Sequence, residues 1–384
     1  MSRPAGALRA PIPVTGSGPS AGPAVPTPPT ERRESPDWVR ISGASALALR
    51  FRSGRFGRPF EFGGINLLLN YDDGCRSDCS YCGLARTRPG TYEDKSFIRV
   101  EWPLVRTDEL VDRMAQAEER LTRLCISMVT NPTAFADTCD ITERIRGRVR
   151  TPLSILVAPP TLNRRRLERF RSLGVDMIGF GVDAVTEDLF RRHRTEVPAG
   201  GAGLRWSQYW RIVDDARDLF GPWKVNCHTL VGLGETDRDL MAIFVRLCER
   251  EIFPYLFCFN PEPDSRLAHH PKASLRRWRR IQLLKYLVER EGVGWEDVSF
   301  DAAGDLAALA IDRRRVDRVV ATGEPFMTNG CPGEGGEPGC TRPYGSYRPS
   351  EPFRDFPFLP DDADLAAIRQ DLGLDELVPG RRID

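Results

Sequence analysis

Between residues 64 and 292 short, continuously apolar runs alternate with longer amphipathic stretches, and this limits the fold more than any other feature. The apolar runs are GINLLLNY (64–71), RLCISMVT (123–130), PLSILVA (152–158), VDMIGFGVDA (175–184), KVNCHTLVG (224–232) and PYLFCFN (254–260). They have strand length and are apolar on both faces, as parallel strands covered by helices are. The intervening periodicity predicts helices over 107–121, 140–149, 163–174, 206–221, 236–251 and 274–292. Thr107 is the expected N-cap of the first, and Gly221 with Pro222 stops the fourth. Six strands alternating with helices imply a parallel sheet with right-handed crossovers. The expected fold class is therefore α/β: a partial or full (β/α) barrel over 36–295, with its chemistry at the C-terminal ends of the strands.

The flanks read differently. Residues 1–35 are rich in Pro, Gly, Ala and Ser with almost no large apolar side chain, which predicts a disordered tail. Residues 296–384 form a C-terminal extension, with helices expected over 304–323 and near 362–371 and a Gly/Pro-rich loop between them. The formal net charge of +1 gives no field that would favour nucleic acid. No run of about 18 or more apolar residues predicts a membrane span, and the N-terminus lacks the apolar core of a secretory signal. A reducing, cytoplasmic setting is expected.

Three of the ten cysteines lie within DDGCRSDCSYCGLAR (72–86), at the end of the first apolar run. Cys75, Cys79 and Cys82 have the spacing C-x3-C-x2-C, which lets three thiolates from one short loop converge on one metal centre. A structural zinc site wants a fourth Cys or His at a paired spacing, and the nearest histidine is His193. A [4Fe–4S] cluster takes thiolates as its standard ligands, and three of them leave one iron open. Packing cysteines or a zinc loop are the bland alternatives.

That spacing, Tyr81 before the third cysteine, and a position after the first strand of a βα series together resemble the radical S-adenosylmethionine (SAM) superfamily. The resemblance implies a [4Fe–4S] cluster on Cys75, Cys79 and Cys82 whose open iron chelates SAM. An electron then cleaves SAM to a 5′-deoxyadenosyl radical that abstracts hydrogen from an unactivated C–H bond. VGLGET (231–236) is similar to the VGLGE of biotin synthase, which implies that Gly232, Gly234 and Glu235 lie against SAM. MVTNP (128–132) carries the Asn-Pro of that enzyme's second strand, which makes Asn131 a cofactor-binding candidate with Tyr81. GFGVDAVTEDLFRRHR (179–194) resembles the fourth-strand segment. There Asp183 is a candidate SAM contact, and one of Arg191, Arg192 and Arg194 is a candidate partner for its carboxylate.

The extension adds NGCPGEGGEPGCTRPYG (329–345). Cys331 and Cys340 sit among turn residues, where core packing explains them poorly; a disulfide or zinc pair is the bland reading. The region resembles the C-terminal cysteine and Thr-Arg-Pro-Tyr segment of archaeal-type, two-protein lipoyl synthases. This implies an auxiliary [4Fe–4S] cluster on Cys331, Cys340 and a third ligand, and sulfur insertion into an octanoyl-type chain on a lipoyl-carrier protein. It also implies a companion radical SAM protein, with ferredoxin or flavodoxin as reductant. Cys125 and Cys227 lie on strands where biotin synthase places auxiliary-cluster ligands, but each is displaced by one residue. One residue reverses a side chain on a strand, so core packing is the favoured reading of both, with a ligand role as the alternative; Cys139, Cys248 and Cys258 read as packing. The competing outcome for the same radical chemistry is rearrangement, dehydrogenation or peptide modification without sulfur transfer.

Overall fold

The expected parallel strands are present in a computed structural model that describes residues 32–91, 95, 100–194, 205–328 and 330–378. The tail expected over 1–35 lies almost wholly outside the described residues. The chain begins with β1 (Trp38–Ile41) and α1 (Gly43–Ala48), then β2 (Gly64–Leu69), β3 (Leu104–Arg106) and α2 (Thr107–Ala117). Next come β4 (Arg123–Ser127), α3 (Ala134–Arg146), β5 (Leu153–Val157), α4 (Arg164–Ser172) and β6 (Met177–Asp183). Helices α5 (Glu187–Arg194) and α6 (Trp206–Phe220) precede β7 (Val225–Val231), α7 (Asp237–Glu249), β8 (Phe253–Cys258) and α8 (Leu275–Glu291). The extension holds β9 (Val298–Phe300), β10 (Leu306–Leu309), α9 (Arg313–Thr322), α10 (Asp362–Leu372) and α11 (Leu374–Leu377).

Eight strands form one sheet in the order β3-β1-β2-β4-β5-β6-β7-β8. The six from β2 to β8 are parallel neighbours, and β1 runs antiparallel to both β2 and β3. This is a mixed α/β fold consistent with a partial (β/α) barrel. Isoleucine and leucine at Ile65, Leu67, Leu124, Ile126, Leu153 and Ile155 are fully buried against the helical layer. The alternate residues of the same strands face the barrel interior: Asn66 and Leu68, Cys125 and Ser127, Ser154 and Leu156, His228 and Leu230, Tyr255 and Phe257 all line one cavity.

Three elements depart from the sequence reading. Helix α3 begins at Ala134 rather than near 140, because its buried face includes Thr138 and Thr142. Their hydroxyls bond back to Ala134 O (2.6 Å) and Thr138 O (2.7 Å), so polar letters occupy core positions. Helix α2 begins at Thr107, with Arg106 in the capping position and no side-chain cap. The helix expected over 304–323 is a strand followed by a helix. Leu306–Leu309 pairs with β9 across a turn at Gly304, and tertiary pairing overrides the helix propensity of its alanines. Asp312 then caps α9 by accepting from Arg314 N–H.

The extension packs onto α8. Trp278 is fully buried there and its Nε1–H donates to Arg354 O at 2.7 Å, beside Arg279, which donates to Phe353 O at 2.6 Å. Among the described residues no helix is long and apolar enough to cross a membrane.

Candidate active site

The loop after β2 carries Cys75, Cys79 and Cys82, and backbone and side-chain bonds pin it to its neighbours. Arg76 N–H donates to Thr130 O (2.7 Å) and Ser77 Oγ to Thr130 Oγ1 (2.8 Å), tying it to the end of β4. Asp78 accepts from the Thr87 hydroxyl (2.6 Å) and amide (3.1 Å), which closes the loop on itself. His193 makes a third tie. Its backbone carbonyl accepts from Ser80 N–H (2.9 Å), and its ring lies between Ser80 Oγ (2.8 Å, at Nδ1) and Leu233 O (2.9 Å, at Nε2). A carbonyl only accepts, so Nε2 carries the proton and Nδ1 takes the Ser80 hydroxyl. Burial lowers the His193 pKa and keeps that ring neutral.

The three thiols line the upper part of the cavity together. Burial pushes Cys79 and, further, Cys82 above the ordinary thiol range, and each neighbouring cysteine adds to the rise. Leu84 N–H reaches Cys82 Sγ at 3.4 Å, a donor of the kind that stabilises a ligating thiolate. Iron binding has to displace these protons, and its own charge supplies the drive. Among the described residues no three His, Cys, Asp or Glu side chains converge tightly enough to hold a single metal ion. A [4Fe–4S] cluster does not ask that of its ligands, because each thiolate binds its own iron. The residues present fit that group.

Beside the triplet lies a polar cluster built on a bulge. The β6–β7 register shifts between Gly181 and Asp183, and Asp183 takes φ +60°, a left-handed conformation that Asp tolerates better than most residues. Its Oδ2 accepts from Tyr81 OH and from Arg194 Nη1, each at 2.5 Å, and Arg194 Nη2 donates to Tyr209 OH at 2.8 Å. Of the three candidate arginines only Arg194 is buried; Arg191 is an exposed surface residue paired with Asp188. Burial opposes the charge on Arg194, but Tyr209, Tyr81 and Asp183 outweigh it. Tyr81, Asp183 and Arg194 therefore stand as one hydrogen-bonded unit on the cavity wall, next to Cys79.

The other sequence candidates sit behind that wall. Asn131 is buried and donates to Asp73 Oδ1 (2.8 Å) while accepting from Thr133 N–H (3.1 Å), so it anchors the cysteine loop. Gly232 and Gly234 have φ of +111° and +105° in the turn after β7. The Glu235 carboxylate folds back into that turn, accepting from Gly232 N–H and Leu233 N–H at 2.8 Å each and from Arg277 at 3.0 Å. These four do not line the cavity, whose wall on this side is Leu230, Phe259, Asn260 and Glu262.

The cavity, of about 290 Å³, continues to the opposite end of the strands. There the extension folds back as a tight hairpin in which Cys340 N–H donates to Cys331 O (3.0 Å) and Pro332 bridges Pro338. The hairpin lies across the N-terminal ends of the strands. Thr122 Oγ1 donates to Gly339 O (2.6 Å), and Arg123, fully buried at the start of β4, spans Pro332 O (2.7 Å) and Asp176 (2.6 Å). Gly330 is required here, since a Cβ would stand 2.2 Å from Cys340 O. Asn66 Nδ2 on β2 reaches Cys340 Sγ (3.5 Å), and Asn226 Nδ2 on β7 reaches Cys331 Sγ (3.4 Å).

A third thiol joins these two, and this revises the sequence reading of Cys125 as a core residue. Cys125 is the ladder partner of Asn66 and Ser154 and lines the cavity with Cys331, Cys340 and Arg342. Burial, then Cys331 and Cys340, push its thiol up to about 12. Cys331 is pushed up to about 11 by burial, against the pull of Arg123. Cys227 faces the other way, fully buried, with Arg246 and Arg250 of the outer helical layer as its charged neighbours. The sequence signal for the inner face was present: Asn66, Cys125, Ser127, Ser154, Asn226 and His228 are polar letters in otherwise apolar strands, in one alternating phase.

A parallel sheet with three cysteines on the loop after its first parallel strand defines a class, and the family comparison names it. Residues 69–247 match the radical SAM superfamily, for which a [4Fe–4S] cluster and SAM are the implied cofactors. Among solved structures, the [FeFe]-hydrogenase maturase HydG from Carboxydothermus hydrogenoformans is 18% identical with a TM-score of 0.43, covering 65% of this chain and 56% of its own. Coproporphyrinogen III oxidase (HemN) from Escherichia coli, a radical SAM enzyme, is 14% identical with a TM-score of 0.39, covering 79% and 69%. The radical SAM methyltransferase TsrM from Kitasatospora setae is 15% identical with a TM-score of 0.37, covering 56% and 42%. The chain spans about half the length of the first of these. No curated protein matches it.

Proposed function

We propose that this radical SAM enzyme inserts sulfur into an unactivated C–H bond of an aliphatic chain, of the octanoyl type carried on a lipoyl-carrier protein. The observation that carries the reading is the second group of thiols facing the cysteine triplet along one cavity. When bound, the triplet cluster and SAM supply the 5′-deoxyadenosyl radical. The chain's own residues do the rest. Tyr81, Asp183 and Arg194 offer a charged, hydrogen-bonded wall for the polar part of SAM, and the ties from Thr130 and His193 hold the cysteine loop in place. Between the two thiol groups the wall is mostly apolar: Leu68 and Leu156 flank Ser127 about 7 Å along the strands from Cys125, and Leu230 and Phe257 line the cavity further along β7 and β8. An alkyl chain fits along these side chains, between a radical source at one end of the cavity and a sulfur source at the other.

A companion radical SAM protein, a ferredoxin or flavodoxin reductant and a cytoplasmic setting belong to the same proposal. The test is anaerobic turnover with SAM, dithionite and an octanoylated carrier protein, read as 5′-deoxyadenosine and as mass gain on the carrier. Cys79→Ser is expected to abolish 5′-deoxyadenosine. Cys331→Ser is expected to leave SAM cleavage but stop the mass gain. Full product formation by Cys331→Ser would overturn sulfur donation from the second site. Wild-type SAM cleavage with no sulfur on the carrier and no sulfide lost from the protein would favour the non-sulfur outcomes.

A further inference from the structure

Resting on that reading, we infer that the second cluster is held by Cys125, Cys331 and Cys340, one thiolate from the barrel wall and two from the extension hairpin, with Arg342 beside it as the counter-charge. Three independent features converge here. The hairpin sets Cys331 and Cys340 opposite one another through the Cys340 N–H to Cys331 O bond. Asn66, which reaches Cys340 Sγ, is the ladder neighbour of Cys125, so the strand thiol and the hairpin thiol share one side of the cavity floor. Arg342 lines the same floor, where its charged neighbours are Cys340 and Cys125, and its guanidinium stands 5.4 Å from the Trp102 ring centre.

The chemistry of the surroundings agrees with thiolate ligation. Asn66 and Asn226 each turn an N–H toward a sulfur while their Oδ1 atoms have no hydrogen-bond partner. A buried amide that leaves its acceptor unused has been oriented for its donor, and donors to sulfur stabilise a bound thiolate. Room for Asn226 depends on Gly179, where a Cβ would stand 2.7 Å from Asn226 Oδ1. His228, facing the same cavity, is held neutral, its pKa lowered by burial and by Arg342 to about 3, so it adds no second positive charge. With three thiolates and, among the described residues, no fourth cysteine on this floor, one iron is left free of protein thiolate, as in the triplet above.

The experiment uses the full chain with Cys75, Cys79 and Cys82 changed to Ala, reconstituted anaerobically with iron and sulfide. Metal and sulfide content and the EPR signal after dithionite reduction are the readouts. About four irons are expected. Adding Cys125→Ser is expected to lower iron content at least about twofold and change the EPR signal, while adding Cys227→Ser leaves both unchanged. Cys125→Ser alone, with the triplet intact, is expected to keep about four irons and a signal that changes on adding SAM, which shows that the variant folds. If the triplet-free chain holds four irons and keeps them with the same spectrum in Cys125→Ser, this ligand set is overturned while the second cluster stands. If the triplet-free chain takes up no iron, the second cluster falls and the sulfur-insertion reading with it.

Discussion

Glu235 illustrates how a residue that resembles a cofactor contact can act through its own loop. Replacing it with Ala removes a buried carboxylate that accepts two backbone N–H groups at 2.8 Å and pairs with Arg277 at 3.0 Å. Breaking a buried ion pair by deleting one partner costs about 3–5 kcal/mol. The two charge-assisted hydrogen bonds fall within that figure, since the partners are coupled and the losses do not add. With a urea dependence of about 3 kcal/mol/M, the midpoint of the reduced apo-protein should fall by roughly 1–1.7 M. Glu235→Gln, which keeps one acceptor for an N–H, should lose less. The assay is equilibrium urea unfolding followed by far-UV circular dichroism, with anaerobic SAM titration of the folded protein. A Glu235→Ala chain as stable as wild type, but with SAM binding abolished, would refute the structural role and make the carboxylate a direct contact.

Other consequences can be checked separately. Arg194→Leu strips the Asp183 carboxylate of its cation, and SAM should bind at least about tenfold more weakly, about 1.4 kcal/mol, by anaerobic calorimetry; unchanged affinity would remove Arg194 from the site. Asp355 of the extension is buried against α8, where Gln282 donates to it, and its pKa is raised by burial to about 7. A carboxyl whose folded pKa lies above its unfolded value favours the native state only while protonated, so stability should decline between about pH 4 and 7 by up to about 4 kcal/mol. Asp355→Asn should flatten that decline in a melting series across pH. Arg123→Ala leaves Asp176 and the Pro332 carbonyl without their shared donor, and limited proteolysis should cut between 330 and 341 faster than in wild type.

The barrel strands were legible because each is a mostly apolar run of strand length whose outer face is covered by helices. The antiparallel edge was not: β1 and β3 are four and three residues long, too short for any period to register. The triplet was legible because its three cysteines lie within eight residues. The second thiol group was only half legible, since Cys125 lies more than 200 residues before Cys331 and Cys340 and sequence spacing says nothing of which strand face it occupies. For Cys125 the comparison of offsets pointed outward. What decides its direction is the phase set by Asn66 and Ser154 beside it, which needs the registers of three strands at once. Glu235 and Asn131 were found as residues that matter, but motif resemblance cannot separate touching a ligand from shaping the loop that does.

The hairpin that crosses the lower end of the barrel also fixes an order of events during synthesis. The triplet loop has its ties to Thr130 and His193 once His193 is made, whereas Cys340 leaves the ribosome roughly 260 residues after Cys82. At about 5–20 residues per second that is a delay of roughly 13–50 s. Throughout that interval the lower mouth is open, and the inner wall around Cys125 is exposed from below. The extension therefore works as a cap fitted last: a chain released before residue 340 could mature at one end while its other end stayed unsealed.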